Sequence, residues 1–192
     1  MTPVKYKILD EIAVVEISNP PVNAISAAVR IGLLETIEEL SSNEKIKAIV
    51  ITAPERTFLA GADIKEFGKK VDAPILGKIC DKIEGLNKIV VASLHGTPLG
   101  GGLEVAMSAH YRIAAPNTKV GLPEVLLGIL PGAGGTQRLP RLCGVHMALD
   151  MMLTGKHVPA KDALIAGIID VIAEDNNTIE NGVEYARKLI KD

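Results

Sequence analysis

Two hydrophobic periods alternate along this chain. Val4 to Leu9 and Ala13 to Ile17 are short runs rich in β-branched residues, parted by Asp10-Glu11, and predict an opening β-hairpin that Asn19-Pro20-Pro21 ends. From Ser26 the period lengthens: Val29, Leu33, Ile37 and Leu40 share one helical face while Glu35, Glu38 and Glu39 lie elsewhere. A helix capped by Ser26 and running to about Leu40 follows, placed to cover the sheet. Ala48 to Thr52, AIVIT, is an unbroken apolar run of the kind shown by a strand buried on both faces. Next, Ala60-Gly61-Ala62 turns the chain into Asp63, an N-cap for a short helix. Ile75, Ile79, Ile83 and Leu86 give helical spacing over Ile75 to Lys88, and Ile89 to Leu94 is another β-rich run. Tyr111 to Ala114 and Lys119 to Gly121 read as short strands. Helices are expected over Val145 to Leu153, stopped near Gly155, and Ala160 to Ala166, stopped by Gly167. Thr178 to Lys191 closes the chain as an amphipathic helix. The repeated order of strand, turn and helix predicts an α/β fold, one domain over residues 1–192 without an interdomain linker.

Composition narrows the function classes. A chain of 192 residues, 47% apolar with net charge −2, suffices for one well-buried domain. Lysines and arginines are dispersed, with short pairs such as Lys69-Lys70 on solvated faces, so no nucleic-acid footprint is expected. No apolar run is long enough to span a bilayer and the first residues lack a signal-peptide core, so the expectation is no membrane partner and a cytoplasmic location. Cys80 and Cys143 lie far apart without metal-ligand spacing; free thiols and no metal site are expected. Aromatic residues make up only 3% of the chain, which argues against stacking platforms for bases or sugars.

Candidate chemistry concentrates between His95 and Arg141, where glycine clusters, two isolated glutamates and long apolar runs occur together. Glu104 is the sole ionisable residue between His95 and His110, and Glu124 the sole one between Lys119 and Arg138. A carboxylate removed from water has its charged form disfavoured, which raises its pKa toward the range useful for acid/base catalysis near neutrality. Either glutamate alone reads equally well as a structural carboxylate tied to a backbone amide. Two in succession, each beside glycines, favour chemistry. Gly100-Gly101-Gly102 precedes a short apolar helix over Leu103 to Ala109, so unpaired amides in its first turn could hold a developing oxyanion. A tight turn packed on a neighbour would use the same glycines, and the Ala60-Gly61-Ala62 turn likewise has a purely structural reading.

Several motifs are absent. GAGGTQ at Gly132 to Gln137 is not GxGxxG, and no P-loop, GxSxG or HExxH is present. Ser93 near His95 and Ser108 near His110 are assigned no role, and Met147, Met151 and Met152 read as core filler.

Phe58 to Phe67 (FLAGADIKEF), His95 to Ala114 (HGTPLGGGLEVAMSAHYRIA) and Val120 to Arg141 (VGLPEVLLGILPGAGGTQRLPR) resemble the three signature blocks of the enoyl-CoA hydratase/isomerase, or crotonase, superfamily, in the same order. With NPPVNAIS at Asn19 to Ser26, the likeness is greatest to the N-terminal part of multifunctional β-oxidation enzymes. The resemblance covers essentially the whole chain. It implies a crotonase-like spiral of repeated ββα units that binds an acyl-CoA thioester, with no cofactor beyond the CoA of the substrate. It further implies that the thioester oxygen is held by the N–H groups of Ala62 and Gly101, that Glu104 and Glu124 are the catalytic pair, and that Ala60, Ala62, Asp63 and Ile64 contact the adenine end of CoA, with Lys65 near its phosphates. Aliphatic residues around Leu126, Leu127 and Leu130 would line the alkene side. Members of the family usually continue into further C-terminal helices, so the expectation is that this chain is either an excised domain or assembles differently, with a homo-oligomer or covalent fusion to a dehydrogenase domain as its setting. The function implied is hydration of a trans-2-enoyl-CoA to a 3-hydroxyacyl-CoA. A Δ3,Δ2-enoyl-CoA isomerase and a non-catalytic acyl-CoA-binding scaffold are the alternatives.

Overall fold

The computed structural model describes residues 2–70 and 72–191. The opening hairpin forms as β1 (Val4–Leu9) and β2 (Ile12–Ile17), antiparallel with Leu9 opposite Ile12. Helix α1 (Ala27–Ser42) starts on Ser26, whose hydroxyl accepts from the Val29 N–H, and Val29, Leu33, Ile37 and Leu40 are all buried. Then follow β3 (Ala48–Thr52), a 3₁₀ turn at Ile64–Glu66, α2 (Leu76–Glu84), β4 (Ile89–Leu94), α3 (Gly101–Ser108) and β5 (Tyr111–Ala114). The remainder is β6 (Lys119–Val120), a second 3₁₀ turn at Pro123–Leu127, α4 (Gly135–Thr154), β7 (Val158–Pro159), α5 (Ala160–Ile165), β8 (Val171–Ile172) and α6 (Thr178–Lys191). No helix is long and apolar enough to cross a membrane among the described residues.

The main sheet has the order β1-β2-β3-β4-β5-β8, parallel from β2 onward. Alternation along each strand divides the core in two. Ile49 and Ile51 of β3 face α1 and α3 together with Ala13, Val15, Val90 and Ala92. Ala48 and Val50 face α6 together with Ile12, Val14 and Val91. All five residues of β3 are buried, as its continuous apolar run requires. Helix α6 closes the second face, and its N-terminus is tied down by a Thr52–Thr178 hydroxyl contact at 3.2 Å and by Ser93 Oγ donating to the Thr178 carbonyl at 2.6 Å.

Beneath this sheet, isolated parallel bridges join Ile25 to Ala62 and Leu99 to Gly121. Successive passes of the chain thus add a long strand to the sheet, a short bridge to an inner layer, and a helix. This is the ββα spiral in an α/β fold. The loops that follow β3 and β4 leave the carboxyl ends of parallel strands, where α/β sheets bind ligands, and they carry the inner bridges.

Several elements differ from the sequence expectation, α3 among them, since it begins at Gly101 rather than Leu103. Helix α2 stops at Glu84 with Gly85 as its C-cap, so Leu86 packs from the following turn. Helix α4 begins ten residues before Val145 and breaks at Gly144 (φ 77°, ψ 161°), so Val145–Thr154 is only its second half. The first half was hidden by Pro140 and the preceding glycines, which read as loop. Strands β7 and β8, of two residues each, carry too short a pattern to be seen in the sequence.

Candidate functional site

Four segments converge on a cavity of about 300 Å³: the turn Ala60–Ala62, the entry to α3 at Leu99–Gly101, the 3₁₀ turn at Pro123–Leu127 and the Gly132–Ala133 loop. Its polar groups are few. Glu104 and Glu124 line it, and the remaining walls are aliphatic, including Ile64, Ile75, Leu76, Leu127 and Leu130. That balance of an apolar wall with convergent polar groups is typical of small-molecule sites.

The turn Ala60–Ala62 is fixed from behind by Asn23, a fully buried side chain. Asn23 Nδ2 donates to the carbonyls of Ile17 and Phe58, its Oδ1 accepts from the Asn19 N–H, and its carbonyl accepts from Ala60. Ala62 is then pinned by the Ile25 N–H donating to Gly61 and the Asp63 N–H donating to Ile25. These bonds use the edge of the turn facing Ile25, and the Ala62 N–H has no partner among the described residues.

The Gly101 N–H, at the first position of α3, is likewise without a partner there. A Cβ built on Gly101 would lie 3.7 Å from the Ala62 nitrogen, so the two backbones abut at the cavity wall. Gly102 explains how they come so close. A Cβ at this position would lie 2.1 Å from the Leu59 carbonyl oxygen, so any side chain would push α3 away from the turn.

Glu104 projects from the first turn of α3, a helix buried along its whole length, and is itself 2% exposed. Its Oε1 accepts from the N–H groups of Ala133 and Gly135, both at 2.7 Å. Burial pushes its carboxyl above the usual range, while those two amides and the Arg138 cation pull it back. Glu124, 9% exposed, sits at the start of the 3₁₀ turn behind Pro123. Its Oε2 is buried without a hydrogen-bond partner. Burial, with a smaller push from Glu104, raises its pKa from the ordinary 4.5 to about 7. The two carboxyls thus differ: Glu104 is held as an acceptor, and Glu124 is poised to carry a proton.

Of the remaining sequence-expected residues, Ala60 and Ile64 line the cavity beside Ala62, whereas Asp63 and Lys65 do not. The Asp63 carboxylate caps the 3₁₀ turn by accepting from the Lys65 N–H at 3.0 Å and faces an adjoining hollow with Arg30, Glu66 and Lys69. Lys65 is exposed. Leu127 and Leu130 line the cavity, but Leu126 is corrected: it lies outside the lining and packs over Gly155. In a 3₁₀ turn side chains three residues apart eclipse, so Leu127 follows Glu124 to the cavity while Leu126 is turned away. Ser93 bonds Thr178 while His95 Nε2 lies 2.7 Å from the Glu55 carbonyl, so neither partners the other. Cys80 is buried and Cys143 half-buried, both free. Among the described residues no group of three or more His, Cys, Asp or Glu is placed to hold a metal. Sequence reasoning missed Asn23 and Arg138. For Arg138 there was a signal, because it is the first charged residue after Glu124 in an apolar and glycine-rich stretch.

Residues 7–192 match the enoyl-CoA hydratase/isomerase family. The peroxisomal bifunctional enzyme of Danio rerio is 48% identical over 179 residues, which cover 93% of this chain and 25% of that protein. A probable enoyl-CoA hydratase of Bacillus subtilis (strain 168) is 40% identical over 185 residues, 93% of this chain and 70% of the relative. Among solved structures, the enoyl-CoA hydratase of Mycobacterium tuberculosis H37Rv superposes with a TM-score of 0.93 at 28% identity, covering 100% of this chain and 77% of that one. The chain therefore spans about a quarter of the length of the bifunctional relative it matches.

The elevated Glu124 pKa has a consequence for stability. The folded state binds this proton more tightly than the unfolded chain, so stability is greatest below the unfolded value of 4.5 and falls as pH rises to about 7. Glu104, shifted in the same direction, adds to the slope. Urea unfolding on either side of this window should show Glu124→Gln gaining on the wild type by on the order of 3 kcal/mol as pH rises. A constant difference between the two proteins would contradict the shift.

Proposed function

Because this chain belongs to the enoyl-CoA hydratase/isomerase family, we propose that it adds water to a trans-2-enoyl-CoA to give a 3-hydroxyacyl-CoA, as the hydratase part of fatty-acid β-oxidation. The observation that carries this reading is the pair of buried carboxyls opposite two unpartnered amides in one apolar cavity. Its match to a quarter of a bifunctional enzyme supports a setting in which a further catalytic domain, a dehydrogenase, is covalently joined.

In this reading the thioester oxygen accepts from the N–H groups of Ala62 and Gly101. Conjugate addition moves electrons from the alkene onto that oxygen, and two fixed donors in a dry site stabilise the resulting enolate by several kcal/mol. Glu104 takes a proton from water through Oε2, since Oε1 is engaged by two amides, and the hydroxide adds to Cβ. Glu124 gives its proton to Cα, and the elevated pKa keeps that proton available near neutrality. The pair enters each cycle with one proton, on Glu124, and is reset when the proton that Glu104 took from water passes to Glu124. Ala60 and Ile64 supply wall and main-chain contacts on the nucleotide side, and Lys65 stands in solvent beside them for phosphate. Neither metal nor organic cofactor is required by this chemistry, CoA being part of the substrate.

The direct test is loss of the conjugated thioester absorbance when crotonyl-CoA is added to the protein. Steady decay is expected, and no decay with a folded protein would overturn the hydratase reading in favour of a binding domain. Within the oxyanion site, a Cβ on Gly101 would meet Leu76 Cδ2 at 2.9 Å and Ile25 Cδ1 at 3.3 Å, the far ends of flexible side chains. Gly101→Val should therefore fold but lose about 10²-fold or more in turnover, the scale of one oxyanion donor. A near-normal rate would remove Gly101 from the oxyanion site.

Isomerisation separates the glutamates. Moving a double bond from C3 to C2 needs one carboxylate that takes a proton at one carbon and returns it at another, and Glu124 has the free oxygen for it. Glu104→Gln should abolish hydration yet leave measurable isomerisation of a 3-enoyl-CoA, whereas Glu124→Gln should abolish both. Steady-state rates on the two substrates, with circular dichroism to confirm folding, decide this. Isomerisation that survives Glu124→Gln but not Glu104→Gln would reverse the roles.

A further inference from the structure

Two arginines are buried among the described residues, and their surroundings differ. Arg112 pairs with Asp170 at 2.8 Å and donates to the Ala109 carbonyl at the far side of the sheet, a structural clasp between β5 and the segment before β8. Arg138, 8% exposed in the first half of α4, lies directly behind the cavity. Its Nη2 donates to Asp81 Oδ1 and to Glu84 Oε2 of α2, both at 2.8 Å, and its Nη1 donates to the Ala133 carbonyl at 3.0 Å. The backbone it grips is the one that holds Glu104, whose Oε1 receives the N–H groups of Ala133 and Gly135.

The loop is built to pass between these two side chains. A Cβ on Gly134 (φ +99°) would lie 2.1 Å from Arg138 Nη1, and a Cβ on Gly135 would lie 2.9 Å from Glu104 Oε1. Consecutive glycines thus leave room for a guanidinium against one residue and a carboxylate against the next. Burying a guanidinium is costly, and packed apolar residues often serve stability as well or better. Here the cation spans α2 and the loop, fixing the loop to a helix rather than leaving its position to a glycine-rich backbone.

We propose that Arg138 is a positioning residue for Glu104: it anchors the Ala133–Gly135 backbone to α2, which keeps two amides aimed at Oε1 and leaves Oε2 to orient the attacking water. This rests on the hydratase reading. The charged group that acts on Glu104 is Arg138 from α4; Glu104 in turn acts on the neighbouring Glu124 and Cys80, while Asp81, Glu84 and Cys80 surround Arg138. Burial pushes the Cys80 thiol up to about 12, so it stays neutral. Arg138 therefore acts on Glu104 in two ways, through the backbone and through its field, and the field is partly neutralised by Asp81 and Glu84.

Three changes to the full chain test this: Arg138→Met, Arg138→Lys, and the double change Asp81→Asn with Glu84→Gln. They are read by steady-state hydration of crotonyl-CoA and by carboxyl titration in protein carrying ¹³C-labelled glutamate, with the Glu104 resonance assigned by Glu104→Gln. Arg138→Met should lower kcat about tenfold or more while KM stays within about twofold, because a misplaced group slows chemistry without removing a substrate contact. Its Glu104 titration should move up in pH, and Arg138→Lys should recover part of both effects. The double change cuts the anchor to α2 while keeping the cation, so it too should lower kcat, about threefold or more, with KM within about twofold. Removing two anions lowers the Glu104 titration by field alone, so the titration reports the field of Arg138 and kcat reports its positioning. A folded Arg138→Met protein with unchanged kcat would overturn the proposal. Should Arg138→Met fail to fold, the double change decides, since it alters exposed side chains: a lower kcat at unchanged KM supports the proposal, and an unchanged kcat overturns it. A wild-type protein inactive on crotonyl-CoA would instead overturn the hydratase reading, with the titrations still reporting on Arg138.

Discussion

The structure depends on keeping Glu104 out of water without leaving its charge unanswered. An isolated carboxylate in a helix buried on every side would simply take up a proton. The two amides of the Ala133–Gly135 loop make both states of Glu104 accessible, and they oblige α4 to begin where it does, since Gly135 opens that helix. The constraint spreads outward. Helix α3 must lie against the Ala60–Ala62 turn, which only a glycine at position 102 permits.

Glu124 follows the opposite logic. With one oxygen buried and unpartnered and a second carboxyl nearby, its neutral form is favoured, and the pair divides into an acceptor and a donor. Neither residue has a fixed chemical identity as a glutamate; the difference comes from the two amides and the Arg138 cation that act on Glu104 alone. The same cavity can therefore serve reactions that need both carboxyls or one, provided the oxyanion is held at Ala62 and Gly101.

The outer architecture supplies rigidity to these contacts. Parallel strands β2 to β5 place successive loops at one edge, and burial of both sheet faces, by α1 and α3 on one side and α6 on the other, leaves those loops little freedom. Asn23 then ties the hairpin exit to the turn that carries Ala62, which links the first strands of the chain to the cavity wall. The proposed chemistry thus sits on loops whose positions are set by distant packing.

What the sequence determined by itself was whatever depends on neighbours a few residues away. The periods of α1, α6 and β3, the caps at Ser26 and Asp63, and the isolation of Glu104 and Glu124 in apolar stretches were all legible, because each is a local property of spacing and polarity. The signature blocks added the expectation that Ala62 and Gly101 hold an oxyanion. Tertiary structure alone decided which partner each polar group meets. Ala133 lies 29 residues from Glu104 and Asp81 lies 57 from Arg138, so neither contact leaves a trace in local pattern. It also decided that Leu127 rather than Leu126 faces the cavity, since a short 3₁₀ turn has no periodicity long enough to read. The contrast between the two glutamates has the same origin: a pKa is set by desolvation and by the donors within reach, and both are fixed only when the chain folds back on itself.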